Sequence, residues 1–125
     1  MKEELEQKIF KDFPNMYKPE RPETESLMCF GFECGDGWFD LLYSLSKDLS
    51  EMEDLPEGFE VEQVKSKFGT LRFYPNFGNE KIYERITQAE EESAVTCEDC
   101  GKPGKLTGKG WVTTLCEDCY NSNKK

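Results

Sequence analysis

Cys97-Glu98-Asp99-Cys100 and Cys116-Glu117-Asp118-Cys119 are one four-residue unit written twice, with fifteen residues between the copies. Two thiolates three positions apart turn inward on a single tight loop, and a second pair brought alongside by a short hairpin completes a tetrahedron of sulfur. Gly101, directly after the first pair, suits such a turn because glycine adopts positive φ cheaply. The pattern predicts one structural Zn²⁺ held by Cys97, Cys100, Cys116 and Cys119. Two disulfides are the competing reading. The opening residues Met1-Lys2-Glu3-Glu4-Leu5-Glu6-Gln7 lack the apolar run of a secretory signal. No stretch approaches the roughly 18 apolar residues of a membrane span. A cytoplasmic location is therefore expected, where thiols stay reduced and paired CxxC units serve metals. Neither pair follows a strand of a βαβ unit, which also disfavours a thioredoxin-like redox role.

Working outward, the 125 residues suit one compact unit: an α+β body over residues 1–96 and a zinc-binding lobe over residues 97–125. The hydrophobic fraction of 36% against 34% charged leaves a modest core, and metal binding coupled to folding is one way a small lobe compensates. The formal net charge is −10, unevenly placed: residues 1–100 carry 11 Lys/Arg against 24 Asp/Glu, and residues 101–125 carry 5 against 2. So acidic a chain lacks the basic footprint of a nucleic-acid binder, and Lys102, Lys105 and Lys109 are the only cations between the cysteine pairs. The absence of histidine removes Ser-His-Asp and Cys-His nucleophilic catalysis. Four thiolates also close the coordination sphere that a hydrolytic zinc leaves open. A non-enzymatic protein is expected.

Upstream, Leu5, Ile9 and Phe10 at helical spacing predict a first helix over residues 2–12, ended by Pro14. Residues 18–25 hold two prolines among alternating charges and read as a loop. Residues 27–33 are apolar enough for a short strand. Next comes Cys34-Gly35-Asp36-Gly37-Trp38, a tight turn in which Asp36 is placed to cap the helix marked by Trp38, Leu41, Leu42, Leu45 and Leu49. Such a turn could present backbone N–H groups to an anion, although turn chemistry alone explains it. Residues 59–75 form the clearest β signal, a hairpin turning near Lys67-Phe68-Gly69. Lys65, Lys67 and Arg72, interleaved with Phe68, Phe73 and Tyr74, make the densest cationic and aromatic cluster, which reads either as a solvated strand face or as a site for an anionic planar ligand or acidic loop. Ile82, Ile86 and Ala89 predict a helix capped by Asn79 and running into Glu90-Glu91-Glu92, a solvated face or a docking surface for a basic protein.

In the lobe, residues 102–106 and 110–115 read as hairpin arms, with Trp111 packing over the metal. A helix at the second cysteine pair would make a treble clef, and a second knuckle would make a ribbon. Cys29 and Cys34, pointing to opposite faces of a regular strand, are expected as buried free thiols rather than joint ligands. The fold class is therefore α+β: a small antiparallel sheet packed with two to three helices, plus a C-terminal four-cysteine zinc-ribbon or treble-clef lobe.

Cys34-Gly35-Asp36-Gly37-Trp38, the run Val64 to Tyr74 (VKSKFGTLRFY), Ala89-Glu90-Glu91-Glu92-Ser93 and the segments Thr96 to Gly104 and Gly110 to Cys116 together resemble an uncharacterised family of small bacteriophage and prophage proteins. The resemblance spans roughly residues 28–119. Many members carry histidine at the last ligand position, where this chain has Cys119; zinc coordination survives that change. The resemblance implies a phage setting, hence the cytoplasm of a host cell, and no established activity. In that setting the expected function is stoichiometric binding of a host protein with a basic surface, inhibiting a defence or regulatory system. One alternative is a sponge for a small anionic, nucleotide-like signal. Another is a nucleic-acid-binding zinc-ribbon regulator. Asp36, Gly37, Trp38, Lys65, Lys67, Arg72, Phe73 and Tyr74 are the candidate residues for binding a ligand or a partner. Oligomeric state is left open.

Overall fold

Leu41, Leu42, Leu45 and Leu49 recur at helical intervals, and in the computed structural model they form the buried face of α2 (Phe39–Ser50). Each such leucine contributes roughly 1.5–3 kcal/mol relative to exposure. Residues 1–108 and 112–123 are described; the expected positions of Lys109, Gly110 and Trp111 lie outside them. Helix α1 (Glu3–Asp12) ends as its pattern requires, with the Phe13 N–H on the Ile9 carbonyl just before Pro14. Helix α3 (Glu80–Ser93) starts at Asn79, whose side chain accepts the Ile82 N–H at 3.0 Å.

These helices lie against a three-stranded sheet in the order β1 (Phe32–Glu33), β2 (Val61–Lys67), β3 (Thr70–Pro75). Strands β2 and β3 form the expected antiparallel hairpin, with Val64 opposite Phe73 and Lys65 opposite Arg72. The expectation of an antiparallel sheet fails at β1, which runs parallel to β2 with Phe32 opposite Val64 and Glu33 opposite Lys65. Helix α2 lies between the two strands in sequence, and a helical crossover brings the chain back to enter β2 in the same direction. The sheet is therefore mixed. Residues 27–33 are not one strand either: Met28–Phe30 is a 3₁₀ turn, and Gly31 reverses the chain at φ +72°. A side chain at Gly31 would collide with the carboxylate of Glu6, which accepts the Phe32 N–H.

Strand parity sorts the hairpin into two faces. Phe32, Val64, Leu71 and Phe73 point into a core shared with Ile9, Tyr17, Trp38, the α2 leucines, Ile82 and Ile86. The other face carries Glu33, Gln63, Lys65, Lys67, Arg72 and Tyr74. Helix α3 packs on β3 and α2 on α3. Two α3 side chains also occupy the outer edge of β3, where Ser93 Oγ accepts the Leu71 N–H at 2.8 Å and Glu90 accepts the Phe73 N–H at 3.4 Å. Unpaired edge donors invite pairing with other chains, so this is a protective use of polar side chains. Glu90 is thus engaged within the fold, while Glu91 and Glu92 remain exposed.

The C-terminal lobe is a knuckle at residues 97–101, a hairpin of β4 (Lys105–Thr107) with β5 (Thr113–Leu115), and helix α4 (Glu117–Asn123). Among the described residues no helix is long and apolar enough to cross a membrane.

Candidate metal centre and the groove beside it

The first cysteine pair sits on a turn built as its glycine suggests: Gly101 N–H donates to the Cys97 carbonyl at 2.9 Å, and Gly101 has φ +82°. The second pair opens α4. Cys116 precedes the helix, Cys119 lies in its first turn, and the Cys119 N–H points at the Cys116 sulfur at 3.4 Å. The sulfurs of Cys97, Cys100, Cys116 and Cys119 all lie within 4.8 Å of one another, with Cys100 and Cys116 at 3.6 Å. A tetrahedron of metal–sulfur bonds near 2.3 Å has edges of about 3.8 Å, so this cage fits a thiolate-bound metal ion. All four cysteines are free of disulfides. Burial opposes ionisation of Cys97, but backbone donors from Cys116, Cys100 and Asp99 outweigh it and bring the thiol down to about 7. Hydrogen bonding with Cys116 and then Cys100 pushes Cys119 up instead.

The two identical tetrapeptides do different work. Glu117 and Asp118 are exposed in the first turn of α4, where negative charge suits the helix dipole. Glu98 instead turns inward. Its carboxylate accepts the Gly35 N–H at 2.9 Å and the Ser66 hydroxyl at 3.0 Å; its carbonyl accepts the Gly37 N–H at 2.7 Å; its own N–H donates to the Thr114 carbonyl at 2.9 Å. Burial raises its pKa, against those two hydrogen bonds. One residue of the knuckle thereby ties together the Gly-Asp-Gly turn, strand β2 and strand β5. Two more bonds fasten the junction: Trp38 Nε1 to the Thr96 carbonyl at 2.9 Å, and Thr114 Oγ1 to the Gly69 carbonyl at 2.6 Å. Glu98→Ala should cost about 2 kcal/mol, because two donors lose their acceptor. Glu98→Gln, which keeps one carbonyl oxygen, should cost less. Equal denaturant midpoints for wild type and Glu98→Ala would remove this role.

The Gly-Asp-Gly turn does not present itself to an anion. Asp36 accepts the Lys2 N–H at 2.7 Å, at the head of α1, and supplies no side-chain cap to α2. Gly37 lies against the knuckle backbone, and Trp38 is wholly buried. Phe73 is in the core as well. Lys65 and Lys67, by contrast, line a groove of about 1080 Å³ between β2 and the lobe, whose walls also include Phe68, Glu98, Thr113 and Tyr120. Arg72 lies across the strand from Lys65 on the same outer face, and Tyr74 is 43% exposed beside it. The eight candidate binding residues thus separate: Lys65 and Lys67 at the groove, Arg72 and Tyr74 on the same sheet face, Asp36 at the head of α1, and Gly37, Trp38 and Phe73 at the lobe junction or in the core.

Sequence reasoning missed Glu98 and Ser66, and it named Phe68 in the basic and aromatic cluster without placing it among the binding residues. One signal was present, since Ser66 shares the core parity of Val64 and a polar residue there requires a partner. Of the two remaining cysteines, Cys34 is buried as expected, its thiol pushed up to about 12 by burial and then by Glu98. Cys29 is exposed, because the 3₁₀ turn replaces the strand that would have covered it.

No family model matches the chain, nor does any curated protein or solved structure.

Proposed function

We propose that the protein is a non-enzymatic binding protein that engages another protein stoichiometrically, and that one structural Zn²⁺ in a treble-clef lobe holds its binding groove in shape. Four thiolates in a closed cage favour zinc in a structural role, and the order knuckle, hairpin, helix with the second pair at the helix start favours the treble clef over the ribbon. The observation that carries the binding reading is the groove itself. One wall is a sheet face bearing Lys65 and Lys67, the other is the lobe, and Glu98 locks the two together. Preorganised walls reduce the ordering cost of association. The resemblance to phage proteins makes the partner a host defence or regulatory component, and the groove is a better candidate surface than residues 90–92, where Glu90 is already engaged.

The test is affinity purification from bacterial host cells expressing the full chain, compared with a Lys65→Glu/Lys67→Glu variant and a Glu91→Gln/Glu92→Gln variant. A partner recovered at one-to-one stoichiometry with wild type should fall roughly tenfold with the lysine variant. Loss with the glutamate variant alone would move the surface to α3.

A second reading, sequestration of a small anion, has one observation in its favour: among the described residues, Arg72 Nε is buried without a hydrogen-bond partner, beside Lys65. Native mass spectrometry of freshly purified protein would reveal a retained ligand.

A further inference from the structure

The tip of the β2–β3 hairpin breaks the usual turn chemistry. Lys67 pairs with Thr70, so the loop is the two residues Phe68 and Gly69, with φ of +54° and +82°. Positive φ at both positions is the mark of a type I′ turn, which favours Asn-Gly. Phe68 is the one non-glycine residue with positive φ among the described residues, and a bulky side chain in that region is an outlier. Packing does not account for it, since its ring is 70% exposed. The turn is nevertheless held firmly: Thr114 Oγ1 bonds the Gly69 carbonyl, and Leu106 and Val112 crowd the space above Gly69. An aromatic ring is thus held out in solvent, in a disfavoured backbone conformation, on a turn braced by the metal lobe.

The cations nearest it stand on its own two strands. The Lys67 ammonium lies 5.6 Å from the ring centroid, and Lys65 and Arg72 form the next row of the same face, with Glu33 opposite Lys65 on β1. Glu98 and Asp99 line the same groove from the knuckle, so the positive charge is confined to the hairpin wall that carries Phe68.

We propose that Phe68 is the anchor by which this protein binds its partner, inserting into an apolar pocket rimmed by Asp and Glu side chains. The inference rests on the binding reading above and names the contact. Buried aromatics dominate interface energetics, and a rigid aromatic carries little ordering cost. The charge pattern selects the partner: Lys65, Lys67 and Arg72 meet a carboxylate rim, whereas a basic rim would face like charge.

The full-length Phe68→Asn variant tests both halves. Asn accepts positive φ, so its melting temperature should rise by about 3 °C or more. A fall would show that the ring stabilises the native fold and would overturn the anchor role. Recovery of the one-to-one host partner should drop about thirtyfold or more with Phe68→Asn and return with Phe68→Tyr. Retention by Phe68→Asn, with loss in Lys65→Glu/Lys67→Glu, would overturn the anchor while leaving the groove reading intact. Capture of no partner by wild type would overturn both. Finally, p-benzoyl-phenylalanine at position 68 should crosslink to a segment rich in Asp and Glu; a crosslinked segment without carboxylates would overturn the proposed rim.

Discussion

Cys97→Ser is expected to abolish stoichiometric zinc binding and to unfold residues 97–119. The reason is that, among the described residues, the lobe's buried cluster is Cys97, Leu115 and Cys116, with Cys119 packed against it, so three of these four belong to the cysteine cage. Structural zinc supplies an apparent free energy of about 10–16 kcal/mol in small peptide sites, far more than one buried leucine. The loss should spread. Without an ordered knuckle, Gly35 N, Gly37 N and Trp38 Nε1 lose their acceptors, and Gly69 loses the Thr114 hydroxyl. Metal analysis should fall from about one zinc per chain to background. Amide exchange should show β4 and β5 unprotected, while α2 and α3 stay protected at a lowered melting temperature. A metal-free variant that kept its β4–β5 protection would show that packing, not metal, folds the lobe.

Gly37→Ala is expected to be nearly as damaging, although it adds a single methyl group. A Cβ at Gly37 would stand 2.2 Å from the Cys97 carbonyl oxygen, 2.6 Å from Gly101 N and 2.7 Å from Cys100 N. All three neighbours are backbone atoms of the knuckle, so no side chain can swing aside. Either the turn moves, losing the Gly37 N–H bond to Glu98, or the knuckle moves, spreading the cysteine sulfurs. A cost of about 3 kcal/mol is expected, at the upper end for overpacking. Zinc affinity should fall along with it. Gly58→Ala is the control: Gly58, unlike Gly37, has positive φ, +84°, and the space around it is open apart from Phe77 at 4.0 Å. That change should cost about 1 kcal/mol, from conformation alone. Equal, small effects at the two positions would show that the knuckle yields to the added methyl group and that the close approach of Gly37 is not what holds it. Chemical denaturation of both variants, with competition for zinc by a chromogenic chelator, separates the outcomes.

Much of this protein is written in local patterns. The helices at residues 3–12, 39–50 and 80–93 follow from apolar spacing with Pro14 and Asn79 as stop and cap, and the hairpin follows from alternation around Lys67-Phe68-Gly69. Four thiols at CxxC spacing were legible as a cluster able to hold a metal because the geometry of a knuckle is local. Parallel pairing of β1 was not legible, since two residues carry too little pattern to declare a direction. Nor was the division of labour between two identical tetrapeptides. Glu98 and Glu117 have the same immediate neighbours in sequence, yet one reaches Gly35 and Ser66 while the other stands at an exposed helix start.

By itself, then, the sequence determined the elements, the acidic surface and the cysteine cage, all of which depend on residues a few positions apart. Tertiary structure alone decided where the Gly-Asp-Gly turn and the basic hairpin sit and what they touch. The turn is a seat for the knuckle, because only folding brings Gly37 against Cys97, 60 positions away in the numbering. The hairpin keeps its cations on the face opposite the core, because strand parity turns Val64, Leu71 and Phe73 inward and leaves Lys65 and Lys67 at the groove.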